Sequence, residues 1–307
     1  MKNPIIRSKL IVILAVMVGL LSAGCKRKPS SESLGREGSR ASGQSIQDIG
    51  SDTMVNLAQA WAEHYAKVDP NMSVEVSGGG SGVGVAALIN GTADIANCSR
   101  AFEPEEIAKC KAKTGKEPKQ FIVGFDGLAV FVHKDNPLDQ ISIEELGNIY
   151  REGGPITRWS QLGVASIPGA KSDEIIRVSR QNNSGTYQYF RESVVGEKAD
   201  FKQGSLDMNG SKDVVELIAR TPGAIGYSGL GYATAAVKIL KVAKVKGGPA
   251  VVPSIATVHD KSYPISRPLY MYTDGDPEPG IQKYLDWITS DAGQKIVEAT
   301  GYVPLLK

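Results

Sequence analysis

The chain has 307 residues, of which 41% are hydrophobic and 22% charged, with a formal net charge of +2. That length allows one large domain or two of ordinary size with ample core, and the composition excludes a disordered or fibrous protein. Lys2, Arg7 and Lys9 are the only charges before Cys25, so the chain from Cys25 onward carries +2 − 3 = −1. A near-neutral balance argues against nucleic acid as the main partner.

The first elements are not part of the fold. A basic start leads into "LIVILAVMVGLL" and then "SAGC", which is the pattern of an export signal. The apolar run is short for a bilayer-spanning helix, which takes about 20 residues. With Cys25 at the cut, the segment resembles a bacterial lipoprotein signal, although Ser22 stands where leucine is most usual. Residues 1–24 are therefore expected to be a signal peptide. Cys25 is expected to carry lipid that tethers an extracytoplasmic domain to a membrane without burying it. Residues 25–45 are rich in Ser, Gly and charge and read as a flexible tether.

From Ile46 strands and helices alternate. "SIQDIGS" reads as a strand, and "TMVNLAQAWAEHYAKV" as a helix with Val55, Ala58, Trp61, Ala62 and Tyr65 on one stripe and Ser51 or Asp52 as its cap. "SVEVSGG", "GVGVAALINGT" and "ADIANCS" follow as strand, helix and strand, then "FIVGFDGLAVFVHKDNP" as a long strand stopped by proline. "SIEELGNIYR" opens with a capping box. "EIIRVSR" is a strand that runs into "QNNSGTYQYF". "SKDVVELIARTPGAIGYSGLGYA" is a helix and a glycine-punctuated strand. "PLYMYT" is a strand, and the last segment, from "PGIQKYLDW", closes with two helices. Strands alternating with helices over this length indicate an α/β fold. Cys98 and Cys110 either form a disulfide, which export permits, or stay separate thiols, one near a strand end and one on a helix.

Three segments share one physical design. "IGSDTM", "SGGGSGVGV" and "RQNNSGTY" each bring glycine and small hydroxyls to the start of a helix. A helix start offers backbone N–H groups and partial positive charge, and so suits an anion. Singly, each serine is most often an N-cap. Together with Arg180, the three starts would surround a tetrahedral oxyanion.

These residues carry a family resemblance. In order, "GSDTM", "GGGSGVGVAALINGTADIANCSR", "FDGLAVFVHKDNP", "RQNNSGTYQYF" and "TPGAIGYSGLGYA" make residues 46–307 resemble the PstS family, the phosphate receptors of ABC transporters. The resemblance implies a two-lobed periplasmic-binding-protein fold of type II, each lobe a mixed sheet flanked by helices, with two hinge crossings. The lobes are expected at 46–131 with 264–307, and at 132–263. It implies capture of inorganic phosphate between the lobes and delivery to ABC permease subunits, with no cofactor or metal. Thr53 and Met54 match a hydroxyl and a backbone N–H donor. Ser81 matches the second helix mouth, and Arg180, Ser184, Gly185 and Thr186 match the arginine and its Ser-Gly-Thr start. The chain departs where members carry an aspartate after a serine, because here Ser99 is followed by Arg100. Ser99 remains a candidate ligand. Asp126 in "GFDGLAV" is the candidate for the missing carboxylate, and the alternative is a turn cap before Gly127. Arg100 either adds a second cation to the site or pairs with Glu103 or Glu105. The alternative is a receptor or sensor for another oxyanion, such as sulfate, phosphite or a phosphonate, and the choice between phosphate and sulfate turns on whether a carboxylate contacts the anion.

Catalytic readings find little support. His64, His133 and His259 are scattered without metal-ligand spacing. "GYSGL" lacks the second glycine of a nucleophile elbow, and "GVASIPGAKS" is too long and proline-broken for a P-loop. "DGDPEPG" reads as a loop, with a weak calcium site as the alternative. Trp61, Tyr65, Tyr187 and Phe190 read as packing residues.

Overall fold

The computed structural model describes residues 44–305, so the expected signal peptide, Cys25 and nearly all of the tether lie outside the described residues. The elements in chain order are β1 (Gln44–Gly50), α1 (Val55–Val68), β2 (Met72–Ser77), α2 (Ser81–Asn90), β3 (Ile95–Cys98), α3 (Pro104–Thr114) and β4 (Pro118–His133). Next come β5 (Gln140–Ser142), α4 (Ile143–Tyr150), β6 (Ile176–Arg180), α5 (Gly185–Phe190), β7 (Leu206–Met208), α6 (Ser211–Arg220) and β8 (Ala224–Gly229). The last are β9 (Val237–Ile239), β10 (Lys241–Ala243), β11 (Ala250–Val251), α7 (Ile255–His259), β12 (Ser266–Asp274), α8 (Pro279–Thr289) and α9 (Asp291–Ala299).

One continuous sheet runs β2-β1-β3-β12-β4-β8-β6-β7, with β9 added to β4. Its centre is β4. Through Gly127 this strand pairs antiparallel with β12, and from Leu128 onward it pairs with β8 and β9. The change of partner divides the sheet into two halves, each with parallel strands beyond it: β1 with β2 and β3 in one, β6 with β7 and β8 in the other. A small sheet, β11-β10-β5, completes the second half.

The β4 segment from Gly127 to Val132 is buried and wholly apolar, as a strand covered on two sides must be. On α1 the buried stripe is Leu57, Ala58, Trp61 and Tyr65, which packs with Ile46, Ile95, Met271, Tyr284 and Leu285. Each fully buried side chain of this kind contributes about 1.5–3 kcal/mol. Trp61 also donates its indole N–H to the Gly293 carbonyl at 2.9 Å, so its one polar atom is satisfied. In the second half Phe190 of α5 stacks on Tyr227 of β8 at 3.7 Å between ring centroids, with Tyr150 edge-on. Trp61, Tyr65 and Phe190 are core, and Tyr187 stacks on Phe201.

Local chemistry explains most of the element ends. Ser142 and Glu145 form the expected capping box on α4. Neither Ser51 nor Asp52 caps α1. The helix begins at Val55 with Met54 at the cap position and no side-chain cap bond, because both polar side chains turn toward other partners. Cys98 and Cys110 are free, buried thiols. Among the described residues, no helix is long and apolar enough to cross a membrane.

Candidate functional site

Where the two halves of the sheet meet, hydroxyl groups from both converge. Ser51, Thr53, Ser81, Ser99, Ser184, Thr186 and Ser211 are all 3% exposed or less, as are Asp126, Arg180 and Arg267. Thr53 and Thr186 contact at 2.6 Å between hydroxyl oxygens, and Thr53 lies 3.5 Å from the Ser211 hydroxyl. Ser51 donates to Ser99 at 2.9 Å, and Ser81 lies 3.4 Å from Ser99 and accepts the Ser99 N–H. These buried hydroxyls satisfy one another, and a fully connected polar network of this kind holds its members in fixed orientation.

Chain geometry brings them together. Gly80 precedes α2 with φ +101°, a conformation that L side chains rarely adopt, and a Cβ there would lie 2.7 Å from the Asn183 carbonyl. The Gly82 N–H donates to that carbonyl at 3.0 Å. Gly185 lets α5 approach equally closely, because a Cβ on it would overlap the Ser81 hydroxyl and sit 2.7 Å from that of Ser99. Ser184 caps α5, its hydroxyl accepting the N–H groups of Thr186 and Tyr187.

Arg180, at the end of β6, donates to the Ser211 hydroxyl (2.9 Å), the Asn209 carbonyl (2.9 Å) and Asp52 (3.1 Å). Its Nε is buried with no partner. Burial lowers the pKa of this guanidinium, and the nearby Asp52 only partly opposes the effect. Asp52 is thus the counter-ion of Arg180 rather than a helix cap, and its other oxygen accepts the Gly79 N–H.

Asp126 is no turn cap. It lies within β4 and pairs with Arg267 of β12, directly opposite in the ladder. Arg267 Nε and Nη2 reach Oδ2 of Asp126 at 3.2 and 2.9 Å, while Oδ1 accepts the Leu230 N–H at 3.1 Å. Nη2 also donates to the Thr186 hydroxyl at 2.9 Å, which joins the ion pair to the hydroxyl cluster.

Of the residues singled out from the sequence, Thr53, Ser81, Ser99, Arg180 and Thr186 belong to this cluster. Gly185 touches it, and Asp126 joins through Arg267. Ser184 serves as the α5 cap, and the Met54 N–H is taken by the Ser51 carbonyl at 2.9 Å while its side chain lies in the core. Arg100 pairs with Glu106, two contacts at 2.7 Å, and with neither Glu103 nor Glu105. Sequence reasoning missed Ser51 as a member, Ser211 and Arg267. For Ser211 a signal existed, since "NGSKD" repeats the glycine-then-serine helix start of α2. His64 is exposed, and His259 bonds the Pro304 carbonyl, so neither is a base for these hydroxyls. The arrangement suits the binding of a small oxyanion: clustered hydroxyls and two buried cations, each with a carboxylate partner.

Comparison with known proteins agrees. Residues 35–292 match the family model described as a PBP superfamily domain, and the fold is the two-lobed one of that superfamily. The phosphate-binding protein PstS of Pseudomonas aeruginosa strain PAO1 is 34% identical over 278 residues, covering 87% of this chain and 85% of its own. PstS of Bacillus subtilis strain 168 is 31% identical over 307 residues, covering 97% and 95%. The chain belongs to the PstS family. Among solved structures, an ABC transporter substrate-binding protein of Clostridium perfringens with bound phosphate superposes with a TM-score of 0.75 at 28% identity, covering 86% of this chain and all 100% of that one. A phosphate transport receptor from Vibrio cholerae gives 0.65 at 27% identity, covering 85% and 100%.

Proposed function

We propose that this chain is an extracytoplasmic lipoprotein that captures inorganic phosphate between two lobes and delivers it to an ABC permease, without catalysis. The observation that carries the reading is Arg180. A buried guanidinium with an unpartnered Nε sits among hydroxyls drawn from both halves of the sheet, and an anion oxygen is the partner that such a donor lacks. Membership of the PstS family supports the same conclusion. The lobes are proposed at 46–131 with 264–307 and at 132–263, and the change of partners in β4 at Gly127–Leu128 and the start of β12 at Ser266 lie close to the two crossings. Thr53 already meets Thr186 and lies near Ser211, the contacts that hinge closure across these two strands would make and opening would release.

Asp126 is assigned as the acceptor for a phosphate hydroxyl. An ionised carboxylate offers about four acceptor positions. Two on Oδ2 are filled by Arg267 and one on Oδ1 by Leu230, which leaves one. Dibasic or monobasic phosphate has a proton to give it, whereas sulfate has none and would leave that acceptor position empty against its own negative charge. Sites built to bond a hydroxyl reject analogues lacking it by up to about 10⁴–10⁵-fold.

Competition against bound labelled phosphate tests the function. Excess phosphate is expected to displace the label, and equal sulfate, which has no proton to give Asp126, is not. Displacement by sulfate as readily as by phosphate would transfer the site to another oxyanion. In Asp126→Asn, the preference for phosphate over sulfate should fall by about 10²-fold or more; an unchanged preference removes Asp126 from the role. Gly185→Ala should weaken phosphate binding by at least about tenfold, because its methyl group would hold the α5 start off Ser81 and Ser99. Parent-like affinity in that variant would show that the two starts need not meet.

A further inference from the structure

Resting on the phosphate reading, we propose that Arg267 is a positioning residue that sets anion selectivity by orienting Asp126 as an acceptor for one proton. The two arginines of the site differ in what they have left to give. Arg180 keeps a buried, unpartnered Nε and is suited to contact the anion. Arg267 has engaged all but one of its N–H donors: Nε and Nη2 on Asp126, Nη2 again on Thr186, and Nη1 on the Gly185 carbonyl at 3.3 Å. Its guanidinium plane also lies 5.3 Å from the centre of the Tyr189 ring, a stacking contact that fixes the fork in one orientation.

Those contacts have a directional result. Both Arg267 bonds to Asp126 converge on Oδ2, so Oδ1 is the oxygen left with acceptor capacity. The Leu230 N–H occupies one of its two positions, and a single one remains. Arg267 and Asp126 face each other in the β12–β4 ladder where β4 changes partner, so the pair is built into the strands that link the lobes. Arg267 meanwhile bonds the first residues of α5 in the second lobe. Closure and acceptor orientation thereby depend on the same guanidinium. A hydroxyl-bearing anion that reaches Thr186 finds one acceptor site, and a fully deprotonated anion leaves that last acceptor position of the carboxylate unfilled and facing its own charge.

A double-mutant cycle on the full chain, freed of bound anion, tests this. Phosphate and sulfate dissociation constants are measured for the parent, Asp126→Asn, Arg267→Gln, the double variant and Arg267→Lys. The parent is read first: if it fails to bind phosphate, the phosphate reading falls and this inference with it, whatever the variants do. Given a selective parent, Arg267→Gln should lose about as much phosphate-over-sulfate preference as Asp126→Asn, and the double variant should lose no more than either single. Losses that multiply would mean that Arg267 acts independently of Asp126, and parent-like selectivity in Arg267→Gln would mean that it has no part; either overturns the inference. Should Arg267→Gln alone fail to fold, leaving Asp126 buried without its counter-ion, the double variant retains no buried charge at the pair and must match Asp126→Asn. Lysine keeps the charge but not the fork, so Arg267→Lys should be intermediate. Full selectivity there would show that charge alone suffices and would overturn the orienting role.

Discussion

Arg180→Met is expected to lower phosphate affinity by about 10²–10³-fold, which corresponds to the 2–5 kcal/mol typical of removing one member of a buried, hydrogen-bonded charge pair at a binding site. The side chain is 1% exposed, and the proposed function makes it the cation that meets the anion in a water-excluded setting, where each charge-assisted bond is worth about 1.5–3 kcal/mol. The same substitution should not lower the melting temperature of the anion-free protein. Burial already pulls this guanidinium below its ordinary pKa, and replacing a buried ion with an apolar side chain of similar volume is often neutral or favourable. Its counter-ion Asp52 keeps a side chain 21% exposed, so water can take over as partner. Binding lost with stability retained is therefore the expected pair of results from titration and thermal denaturation. A variant that binds phosphate as tightly as the parent contradicts the assignment of Arg180.

Asp48→Asn should act in the opposite way, on stability and not on binding. Asp48 lies in β1 with its carboxyl fully buried and neither oxygen hydrogen-bonded. Burial raises its pKa from 3.8 to about 7, and the neighbouring Asn97 only moderates the rise. The sign follows from linkage: a carboxyl whose pKa is higher in the folded state binds a proton there that the unfolded chain has already released. Stability is then full below about pH 4 and is lost as the pH climbs toward 7. At about 1.4 kcal/mol per unit, the stability gap in favour of Asp48→Asn should widen by up to about 4 kcal/mol between pH 4 and 7 and stay constant above that. Urea unfolding of both proteins across this range reads the gap directly. A gap that does not change with pH contradicts the burial of an uncompensated carboxyl.

The position of Asp48, in the strand that leads into Gly50 and Thr53, sets this cost beside the binding cluster. Ser51 and Thr53 extend from the same strand end, and the Tyr302 hydroxyl bonds the Thr53 carbonyl from the far end of the chain. The first lobe thus holds its donors on a strand that carries an unfavourable buried group, in keeping with the general finding that functional regions tolerate local instability.

What was legible in the sequence was whatever lay within one local segment. Arginine followed by Ser-Gly-Thr identified β6 and α5 because the strand, turn and cap succeed one another within a few residues. Glycine before serine marked α2 for the same reason. The β4 segment was legible from its β-branched and aromatic run, and Asp126 stood out within it as a charge where none belongs. Its partner did not. Arg267 lies 141 residues further along the chain, and only the register of β12 against β4 brings the two together. Ser211 carried a local signal, but its direction toward Arg180 depends on how α6 packs beside β6. Errors arose where a polar residue had two satisfactory fates. Asp52 suited a helix cap by type and position, yet its carboxylate is drawn to Arg180. Arg100 had acids at several spacings, and Glu106 captured it because that side chain already turns back to the Glu103 N–H in the α3 capping box.

The most direct test of the central claim is a calorimetric titration of the purified, anion-free chain with phosphate and, separately, with sulfate at the same concentrations and pH. The account predicts saturation at one phosphate per chain and no heat of binding from sulfate. A folded, anion-free protein that takes up no phosphate, or that binds sulfate equally well, would contradict it.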